Sequence, residues 1–572
     1  MPNRREFLAA SGGALFSLTS SGRLFAQAMR DTGAAGLDAA GQLFLRGSPI
    51  NFRPDVASHA LFEGLPFWTG FSGDRFHGPG HPPFPSLPEW IGYGNPPPEA
   101  SESEDIVIVG GGLAGLTTAY LLRDRKPLLI EHNSRFGGNA QGEVWGGVPY
   151  SLGSAYFIEP DEPLTSFYKE LGLDRLARVT QGTPGPDPVE VGGSLIEGFW
   201  KGDWTMSRAE RAYFQRYLAL VEHVAEKEYP EIPLPKKGFE WILELDARTF
   251  KEDVEARCGG PAPALLEAAI QQYFFSSFNA GWEQVSAAAG WNFVAAELYG
   301  LWVLPGGVAT MSQAIWTRLL ASLGQERLRR ETVVLDVRPH DGDVLVTCGY
   351  TDGSVRSIRA KRVVMACPKF VCRHTMEEYF KADPDRLNSS LQVTYNPYIV
   401  ANVLLDAGLP DSFYDMFLVE DGSLPDPPEV TLEEWHRPVD ALNASFALRG
   451  TSHRSVLTFY WPLPWIQGRA FVGLDLDPLP RIAPWCAPHI KNALGALGIG
   501  EHAVRQVRLT RWGHAMPVAG TRLLADGHAQ RLREPTPDGK VFFINQDNWA
   551  LPAVETSLLE AFEWAPRVVE GL

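Results

Sequence analysis

The stretch from Asp105 to Gly138 decides the fold. It reads Asp-Ile-Val-Ile-Val-Gly-Gly-Gly-Leu-Ala-Gly-Leu-Thr-Thr-Ala-Tyr-Leu-Leu over residues 105–122, Pro-Leu-Leu-Ile-Glu over 127–131 and Asn-Ser-Arg-Phe-Gly-Gly over 133–138. The short β-branched run from Ile106 to Val109 is typical of a buried parallel strand. A Gly-rich turn and an apolar helical pattern follow it, so the stretch predicts a strand–turn–helix unit.

Three glycines stand where the strand turns into the helix. Gly110, Gly112 and Gly115 give the spacing G-x-G-x-x-G. The first glycine permits the tight turn, the second lets the backbone approach a pyrophosphate, and the third lets the helix pack closely on the strand. Phosphate charge would then lie on the free N–H groups at the helix start, where Leu113 and Ala114 stand.

A second strand, Leu128 to Ile130, ends at Glu131. This acid lies roughly 20 residues after the first glycine, where a carboxylate accepts hydrogen bonds from a ribose hydroxyl. Strand, glycines, helix, strand and acid in this order predict a dinucleotide site. The alternative is a Gly-rich turn in an ordinary βαβ unit.

The composition is that of a soluble globular protein with more than one domain. The 572 residues are 45% hydrophobic and 21% charged, with a formal net charge of −17. This charge argues against nucleic acid as a partner, and it suits either cationic small molecules or simple solubility. No apolar run after the N-terminus is long enough to span a bilayer. The His and Cys spacings predict no metal site.

The N-terminus has the pattern of an export signal. Arg4 and Arg5 precede a weakly apolar, Gly- and Ser-rich stretch, and Ala26-Gln27-Ala28 offers small residues for cleavage. The pattern resembles a twin-arginine signal, whose pathway carries folded proteins, so a periplasmic or secreted location is expected. The alternative is a basic N-terminal helix that stays in place.

We expect an α/β fold in which a Rossmann-type dinucleotide-binding domain carries an inserted, mixed α+β substrate domain. The expected segments are the export signal (1–28), a Pro- and Gly-rich extension with little regular structure (29–103), dinucleotide-binding parts (104–163, 301–370 and 511–572) and substrate-domain parts (164–300, helical, and 371–510, strands and loops).

Four separated motifs resemble those of the flavin-containing amine oxidases, within the wider group of phytoene desaturases and protoporphyrinogen oxidases. They are the opening stretch with Arg135-Phe136-Gly137-Gly138, the loop Leu152-Gly153-Ser154-Ala155-Tyr156, Pro305-Gly306-Gly307 with the strands after it, and Phe543-Ile544-Asn545-Gln546-Asp547 with the terminal helix. The export signal, the long prologue and Arg511-Trp512-Gly513-His514 resemble the bacterial spermidine-dehydrogenase-like branch.

The resemblance implies a tightly held, non-covalent FAD and hydride transfer from an amine or polyamine C–H to flavin N5. The implied cofactor-binding residues are Gly110, Gly112, Leu113, Ala114, Gly115, Glu131, His132, Arg135, Gly137, Gly138, Gly153, Ser154, Ala155, Tyr156, Val334, Asp547, Ala553 and Val554. Since no second nucleotide motif occurs, the substrate should reduce the flavin directly, and oxygen, a quinone or a cytochrome should reoxidise it.

An aromatic pocket is expected to receive the substrate, because stacked rings bind cations and desolvation favours the neutral amine that reacts. Trp549 is the first candidate, with Trp512, Tyr395 and Tyr460 as further ones, and His514 would orient substrate or move a proton. The strand Tyr398 to Leu405 contains Asn402 and lacks the lysine that many amine oxidases carry near N5. Each aromatic residue has core packing as its alternative role.

Three functions therefore remain open. The first is a flavin-dependent amine oxidase or dehydrogenase. The second is a flavin-dependent desaturase or isomerase of an apolar unsaturated substrate, which the missing lysine permits. The third is a binding protein of the same fold without flavin chemistry, against which Glu131 and Arg135-Phe136-Gly137-Gly138 argue.

Overall fold

The structure described here is a computed structural model. It covers residues 35–37, 43–45, 48, 50–74, 96–182, 187–410, 412–419, 438–448, 452–463 and 479–572. The expected export signal, residues 1–28, lies outside the described residues.

The described strands fall into two large sheets and three small ones. In chain order they are β1 (Ala35–Leu37), β2 (Leu43–Leu45), β3 (Asn51–Phe52), β4 (His59–Phe62), β5 (Leu65–Gly73), β6 (Ala100–Val109), β7 (Leu128–Ile130), β8 (Gly142–Trp145), β9 (Val148–Ser151), β10 (Tyr156–Ile158), β11 (Arg178–Val179), β12 (Val189–Val191), β13 (Ser194–Ile196), β14 (Leu301–Val303), β15 (Leu328–Arg329), β16 (Thr332–His340), β17 (Asp343–Tyr350), β18 (Val355–Met365), β19 (Tyr395–Leu405), β20 (Asp415–Val419), β21 (Asp440–Asn443), β22 (Ser455–Pro462), β23 (Val504–Pro517) and β24 (Val541–Phe543).

The α-helices of the described residues cover the faces of these sheets. They are α1 (Leu113–Leu121), α2 (Leu164–Leu171), α3 (Arg208–Lys227), α4 (Glu240–Asp246), α5 (Phe250–Cys258), α6 (Ala264–Phe278), α7 (Ala287–Ala296), α8 (Val308–Leu323), α9 (Lys369–Thr375), α10 (Glu377–Ala382), α11 (Pro384–Gln392), α12 (Leu479–Ala496), α13 (His528–Arg533) and α14 (Val554–Val568). Among the helices that the structure describes, none is long and apolar enough to cross a membrane.

A seven-stranded sheet forms the nucleotide-binding part, as the opening stretch predicts. Its order is β15-β7-β6-β18-β17-β16, and β24 pairs in parallel with β18. Strands β15, β7, β6 and β18 are parallel neighbours, whereas β16 and β17 are added in antiparallel fashion. The buried core of β6 (Ile106 to Val109) and all of β7 are apolar, because a parallel sheet is covered on both faces.

A nine-stranded sheet forms the substrate part, in the order β13-β12-β20-β21-β22-β19-β23-β5-β4. Helices α5, α6 and α7 pack with α3 into a separate helical core. The α3 helix starts at a capping box between Ser207 and Glu210. The predicted helical stretch from Asp246 to Phe278 is divided between α5 and α6, because Gly259 adopts a left-handed conformation with φ of 85° and ends α5.

Two expectations about local structure are corrected. The segment 371–510 contains the α-helices α9 to α12 in addition to strands and loops. Strand β23 crosses the boundary expected at residue 510 and ends at Pro517 within the larger sheet.

The N-terminal extension also has more regular structure than its composition suggests. Strands β4 and β5 pair with each other, and β5 runs parallel to β23, so both join the nine-stranded sheet. A buried ion pair ties this region together: Arg508 Nε donates to Glu143 Oε2 at 2.7 Å, and the guanidinium lies 3.8 Å above the Trp68 ring. The Pro and Gly content of the extension therefore did not predict these strands, because pairing with distant parts of the chain stabilises them.

Candidate active site

The Gly-rich turn between β6 and α1 has the geometry of a dinucleotide loop. Gly110 has φ of +108°, which L side chains rarely adopt. A Cβ on Gly115 would lie 1.9 Å from the carbonyl oxygen of Gly110, so helix and strand meet only because it is glycine. A Cβ on Gly112 would meet nothing closer than Gly138 Cα at 3.8 Å, so this position opens onto free space.

The N-terminus of α1 has unpaired N–H groups to offer at this space. Gly112 is its N-cap and provides no side-chain cap, and Leu113 and Ala114 form the first turn. The first N–H groups of a helix lack partners within the helix and attract anions. The loop therefore suits a pyrophosphate.

Glu131 closes one side of the turn. Its carboxylate accepts the Gly111 N–H at 2.7 Å and the Asn133 N–H at 2.7 Å. Nδ1 of the exposed His132 lies 2.8 Å from Oε1 of Glu131. Burial opposes ionisation, but His132 and the two N–H groups outweigh it and hold the pKa of Glu131 below its ordinary value. This acid is thus an ionised acceptor beside the nucleotide space.

The Arg135-Phe136-Gly137-Gly138 segment packs against the loop. Gly137 N–H donates to the Gly111 carbonyl at 2.8 Å, and a Cβ on Gly138 would lie 3.1 Å from Gly112 Cα. The Arg135 guanidinium lies 3.5 Å above the ring of Phe52, a residue of the N-terminal extension.

Val334 lies on β16, the last strand in the order of the seven-stranded sheet. The strand begins beside the acid, since the Thr332 N–H donates to the Glu131 carbonyl oxygen at 3.1 Å. The Val334 side chain is buried, so any contact of this residue with the nucleotide would come from its backbone.

The loop Gly153–Tyr156 meets the Gly306-Gly307 turn. The Val308 N–H donates to the Ser154 carbonyl at 3.2 Å, and a Cβ on Gly307 would lie 2.9 Å from Ala155 Cα. Gly153 is equally constrained, because its Cβ would lie 2.4 Å from the Asn139 carbonyl oxygen. Two motifs that are far apart in sequence therefore form one wall.

The start of α14 forms the opposite wall. Ala553 is its N-cap and has no side-chain cap, but its N–H donates to the Leu551 carbonyl at 2.8 Å. Ala553 is expected to bind the cofactor, but its N–H is already engaged, which leaves Val554 as the first N–H of the helix without an intrahelical partner. The helix dipole would stabilise negative charge close to this terminus.

Asp547, in the terminal motif, is buried. It accepts the Lys369 N–H at 2.8 Å and the Tyr395 hydroxyl proton. Burial raises the pKa of Asp547 above its ordinary value. Its carboxylate is thus fixed in place within the terminal motif.

These residues fit a flavin dinucleotide. The open space over Gly112, the ionised Glu131 and the uncapped start of α1 suit the ADP half. The wall of Gly153–Tyr156 and the uncapped start of α14 suit a ring that gains negative charge when it is reduced.

A cavity of about 320 Å³, called the front cavity below, lies between these two walls. Gly153, Ala155, Tyr156, Ala553 and Val554 all line it. Motifs from distant parts of the sequence therefore converge on one space. The cavity is the place where a substrate would meet a flavin.

The front cavity is rich in carboxylates. Six acidic residues line it, and its described lining contains no Lys, Arg or His; the acids are Glu159, Asp161, Glu162, Glu231, Glu297 and Glu555. Asp161, Glu162 and Glu231 lie toward the surface, whereas Glu297 and Glu555 are partly buried. Burial raises the pKa of Glu297 to about 8, and nearby Glu555 adds to the rise while the hydroxyl of Tyr273 opposes it.

Sequence reasoning missed these acids. The run Glu159-Pro160-Asp161-Glu162, directly after the loop Gly153–Tyr156, was the available signal together with the net charge of −17. Glu297 carries no local signal, since it follows α7 in an otherwise apolar stretch and reaches the cavity only through the tertiary fold.

Two of the expected aromatic residues line the front cavity. Trp512 Nε1 donates to the Leu152 carbonyl at 2.8 Å, and the Tyr460 hydroxyl donates to the Gly153 carbonyl at 2.5 Å. Both rings are thus anchored to the flavin-side loop. Tyr398, which sequence reasoning did not place in the pocket, also lines the cavity and meets Tyr460 edge-on with ring centroids 5.5 Å apart.

Trp549, Tyr395 and His514 do not line the front cavity, which corrects the expected pocket. Trp549 is buried in the helical core and donates from Nε1 to Glu560 Oε1 at 2.9 Å. Its position between motif and helix is therefore a packing position. Tyr395 is held by Asp547, and His514 stacks on Phe370 with ring centroids 3.9 Å apart.

The strand that was expected to carry a lysine presents Tyr398 and Val400 to the front cavity. Asn402 is fully buried: it donates to the Ser151 carbonyl at 3.2 Å and accepts the Thr458 hydroxyl at 2.7 Å. The cavity-facing part of β19 therefore carries no charge.

The fold and the site define a flavin-dependent oxidoreductase. A family model for flavin-containing amine oxidoreductases matches residues 113–414. The chain belongs to this family, it is an enzyme that acts on a small-molecule substrate, and its cofactor is a flavin.

The individual proteins that resemble the chain have low sequence identity to it. The chain is 21% identical to Oxidoreductase PigB of Serratia sp. over 534 residues, which cover 81% of this chain and 75% of PigB. Cyclohexylamine oxidase from Brevibacterium oxydans has a similar fold, with a TM-score of 0.59 at 17% identity over 82% of this chain and 99% of that one. A fatty acid isomerase from P. acnes has a TM-score of 0.56 at 14% identity, with the same coverage.

Proposed function

We propose that the enzyme binds FAD non-covalently and oxidises the C–N bond of a cationic amine or polyamine. A bound flavin would supply the two-electron oxidant, and the lining of the front cavity would hold the carbon next to nitrogen against it. The C–N single bond of the substrate becomes C=N, and water then splits the product into a carbonyl compound and an amine. Oxygen, a quinone or a cytochrome takes the electrons afterwards.

The observation that carries the proposal is the lining of the front cavity. Six acidic residues line this cavity, and its described lining contains no Lys, Arg or His, so the lining attracts a cation, whereas an uncharged apolar substrate would gain nothing from it. The outer acids Asp161, Glu162 and Glu231 raise the local concentration of cations at the entrance. The rings of Tyr398, Tyr460 and Trp512 provide further binding for an ammonium group.

Glu297 supports the chemistry as well as the binding. An amine reacts in its neutral form, so the ammonium group that enters must lose a proton. A carboxylate with a pKa of about 8 accepts this proton more readily than an ordinary glutamate. We assign the proton to a carboxylate oxygen of Glu297, while the apolar side chain of Val400 keeps the reacting region poorly hydrated.

A desaturase or isomerase acting on an apolar unsaturated substrate is the second candidate. The observation that favours it is the uncharged cavity-facing part of β19, which presents Tyr398 and Val400 and lacks the lysine that many amine oxidases carry. The fold likeness to a fatty acid isomerase is compatible with this alternative. The acidic lining of the front cavity favours the amine as substrate.

Anaerobic mixing with candidate substrates tests the proposal. Purified enzyme is mixed with primary amines, polyamines, amino acids and an unsaturated fatty acid, and the visible flavin absorbance is followed. We expect amines to bleach the flavin and to yield a carbonyl product. If the fatty acid is converted while no amine bleaches the flavin, the second candidate replaces the first.

The mode of flavin binding has its own test. No cysteine or histidine is among the described residues that line the front cavity, so no thioether or imidazole is at hand for a covalent link. Acid precipitation should therefore release all flavin into the supernatant as FAD. Flavin that stays with the precipitated protein would contradict non-covalent binding.

We also propose export in folded form, on the basis of the Arg4-Arg5 pattern. Loading of the cofactor before export would explain why a folded-protein pathway is used. Replacing both arginines with lysine should retain the flavin-loaded enzyme in the cytoplasm of the host. Unchanged delivery of this variant to the periplasm would contradict the proposal.

A further inference from the structure

A second, smaller chamber of about 90 Å³ adjoins the front cavity and is called the rear chamber below. Glu297 lies in the walls of both spaces. Asp187 and Asp415 also line the rear chamber, and its described lining contains no Lys, Arg or His. Three carboxylates thus surround a small space that adjoins the proposed site of oxidation.

Asp415 is the informative residue of the rear chamber. It is the first residue of β20, it is only 8% exposed, and its Oδ1 has no hydrogen-bond partner among the described residues. Asp187 is already in use, since its Oδ1 accepts the Tyr414 N–H at 2.8 Å and the Asp415 N–H at 3.3 Å. A buried carboxylate oxygen without a donor is costly, so Asp415 points to a missing donor.

Asp440 extends this acidic row toward the front cavity. It pairs directly with Phe417 in the β20–β21 register, which places it on the same face of the sheet as Asp415. Its Oδ2 accepts the Ser276 hydroxyl at 2.6 Å, and Ser276 itself lines the front cavity. Its Oδ1 has no partner among the described residues.

The electrostatics of the row favour a cation. Burial raises the pKa of Asp440 to about 7, and burial together with the charge of Asp440 raises the pKa of Asp415 well above its ordinary value. A positive group beside them would restore both carboxylates to their charged form.

The shape and the donor set identify the kind of cation. Within the described residues, no three His, Cys, Asp or Glu side chains are grouped so as to hold a metal ion. An ammonium group on a methylene chain is small enough for about 90 Å³, and its N–H groups would supply the donor that Oδ1 of Asp415 lacks. The aliphatic part would lie against Ile270 and Phe417 of the same wall.

We propose that the rear chamber binds the second ammonium group of a diamine or polyamine whose first amino group lies in the front cavity. This rests on the proposed amine-oxidising function. Glu297 stands between the two charged ends of such a substrate. The substrate would then be selected by the distance between its two amino groups.

Binding of matched amine pairs to the flavin-loaded enzyme tests the proposal. Dissociation constants are measured by calorimetry under anaerobic conditions for α,ω-diamines of increasing length and for n-alkylamines with the same number of carbons. At the best length we expect the diamine to bind at least about tenfold more tightly than the monoamine, because its second ammonium group makes an additional charge-assisted hydrogen-bonded contact.

Asp415→Asn should reduce this preference to less than about twofold and leave the dissociation constant of the monoamine unchanged. Glu226→Gln is the matched control, because it removes an exposed acid from α3, the helix that supplies Tyr217 and Val221 to the rear chamber. This control should keep the full preference. If Asp415→Asn does not fold, Asp187→Asn serves in its place.

Equal affinity for diamines and monoamines at every length would overturn the inference, as would a preference that Asp415→Asn leaves intact. Water molecules filling the rear chamber would produce the first of these results. The proposed function is judged separately, by whether any monoamine, diamine or polyamine bleaches the flavin. The two proposals can therefore fail independently.

Discussion

Replacement of Glu297 by glutamine should remove the pH dependence of cation binding in the front cavity. With a pKa of about 8, the wild-type carboxyl is about 1% ionised at pH 6 and about 90% ionised at pH 9. If its ion pair with a bound cation contributes about 2 kcal/mol, the affinity should rise about 20-fold over this range. Glutamine cannot ionise, so the variant should show less than about a twofold change.

The assay uses benzyltrimethylammonium, whose charge does not depend on pH and which has no N–H proton to lose. Binding is followed by the change in the visible flavin spectrum of the loaded enzyme at pH 6, 7, 8 and 9. Glu226→Gln, a surface carboxylate on α3, is the control and should keep the wild-type slope. An unchanged slope in Glu297→Gln would refute the role assigned to this carboxyl.

Three further predictions concern the cofactor and stability. Gly112→Asp should leave the fold intact, because a Cβ at this position meets no protein atom closer than 3.8 Å. The same variant should lose flavin binding, because its carboxylate would repel the pyrophosphate. Retained flavin absorbance would contradict the assigned site. Arg508→Met should lower the free energy of unfolding by about 3 kcal/mol, since Glu143, only 1% exposed, loses the nearer of its two arginines and keeps Arg135 at 3.9 Å and the Tyr150 hydroxyl at 2.6 Å; a loss below about 1 kcal/mol in denaturant titration would refute this. Asp440 has a raised pKa of about 7 in the folded state, so its stabilising contribution is present below about pH 4 and is lost as the pH rises through 7. The melting temperature of Asp440→Asn should therefore exceed that of wild type by an amount that grows from pH 5 to pH 8, and a difference that does not change with pH would contradict the assignment.

The nucleotide half of the site could be predicted from sequence because its constraints are local. Gly110, Gly112 and Gly115 are fixed by one turn, and Glu131 follows at the end of the next strand. Strand β7 was predicted to the residue, and α1 begins directly after the second glycine of the spacing. The substrate half depends on residues brought together by the tertiary fold, which no local pattern records.

Trp549 shows why the aromatic pocket was predicted incorrectly. Its place between the terminal motif and α14 suggested a site residue, yet its indole bonds to Glu560 on the buried side of that helix. Trp512 is also buried and bonded, but it lines the front cavity. Sequence position alone could not separate the two, because the direction of each side chain is set by packing.

The N-terminal extension shows a second limit. Its Pro and Gly content suggested a segment with little regular structure, whereas β4 and β5 form the edge of the nine-stranded sheet. The pairing partner of β5 is β23, which lies near the other end of the chain. Such non-local pairing stabilises strands whose own propensity is weak.

The central claim is that the front cavity oxidises amines at a bound flavin. Its most direct test is a single-turnover reaction without oxygen, in which the loss of visible flavin absorbance and the carbonyl product are measured together after mixing with an amine. We predict one carbonyl product for each flavin reduced, with a reduction rate that falls in Glu297→Gln. Flavin that stays oxidised with every monoamine and polyamine tested would contradict the claim.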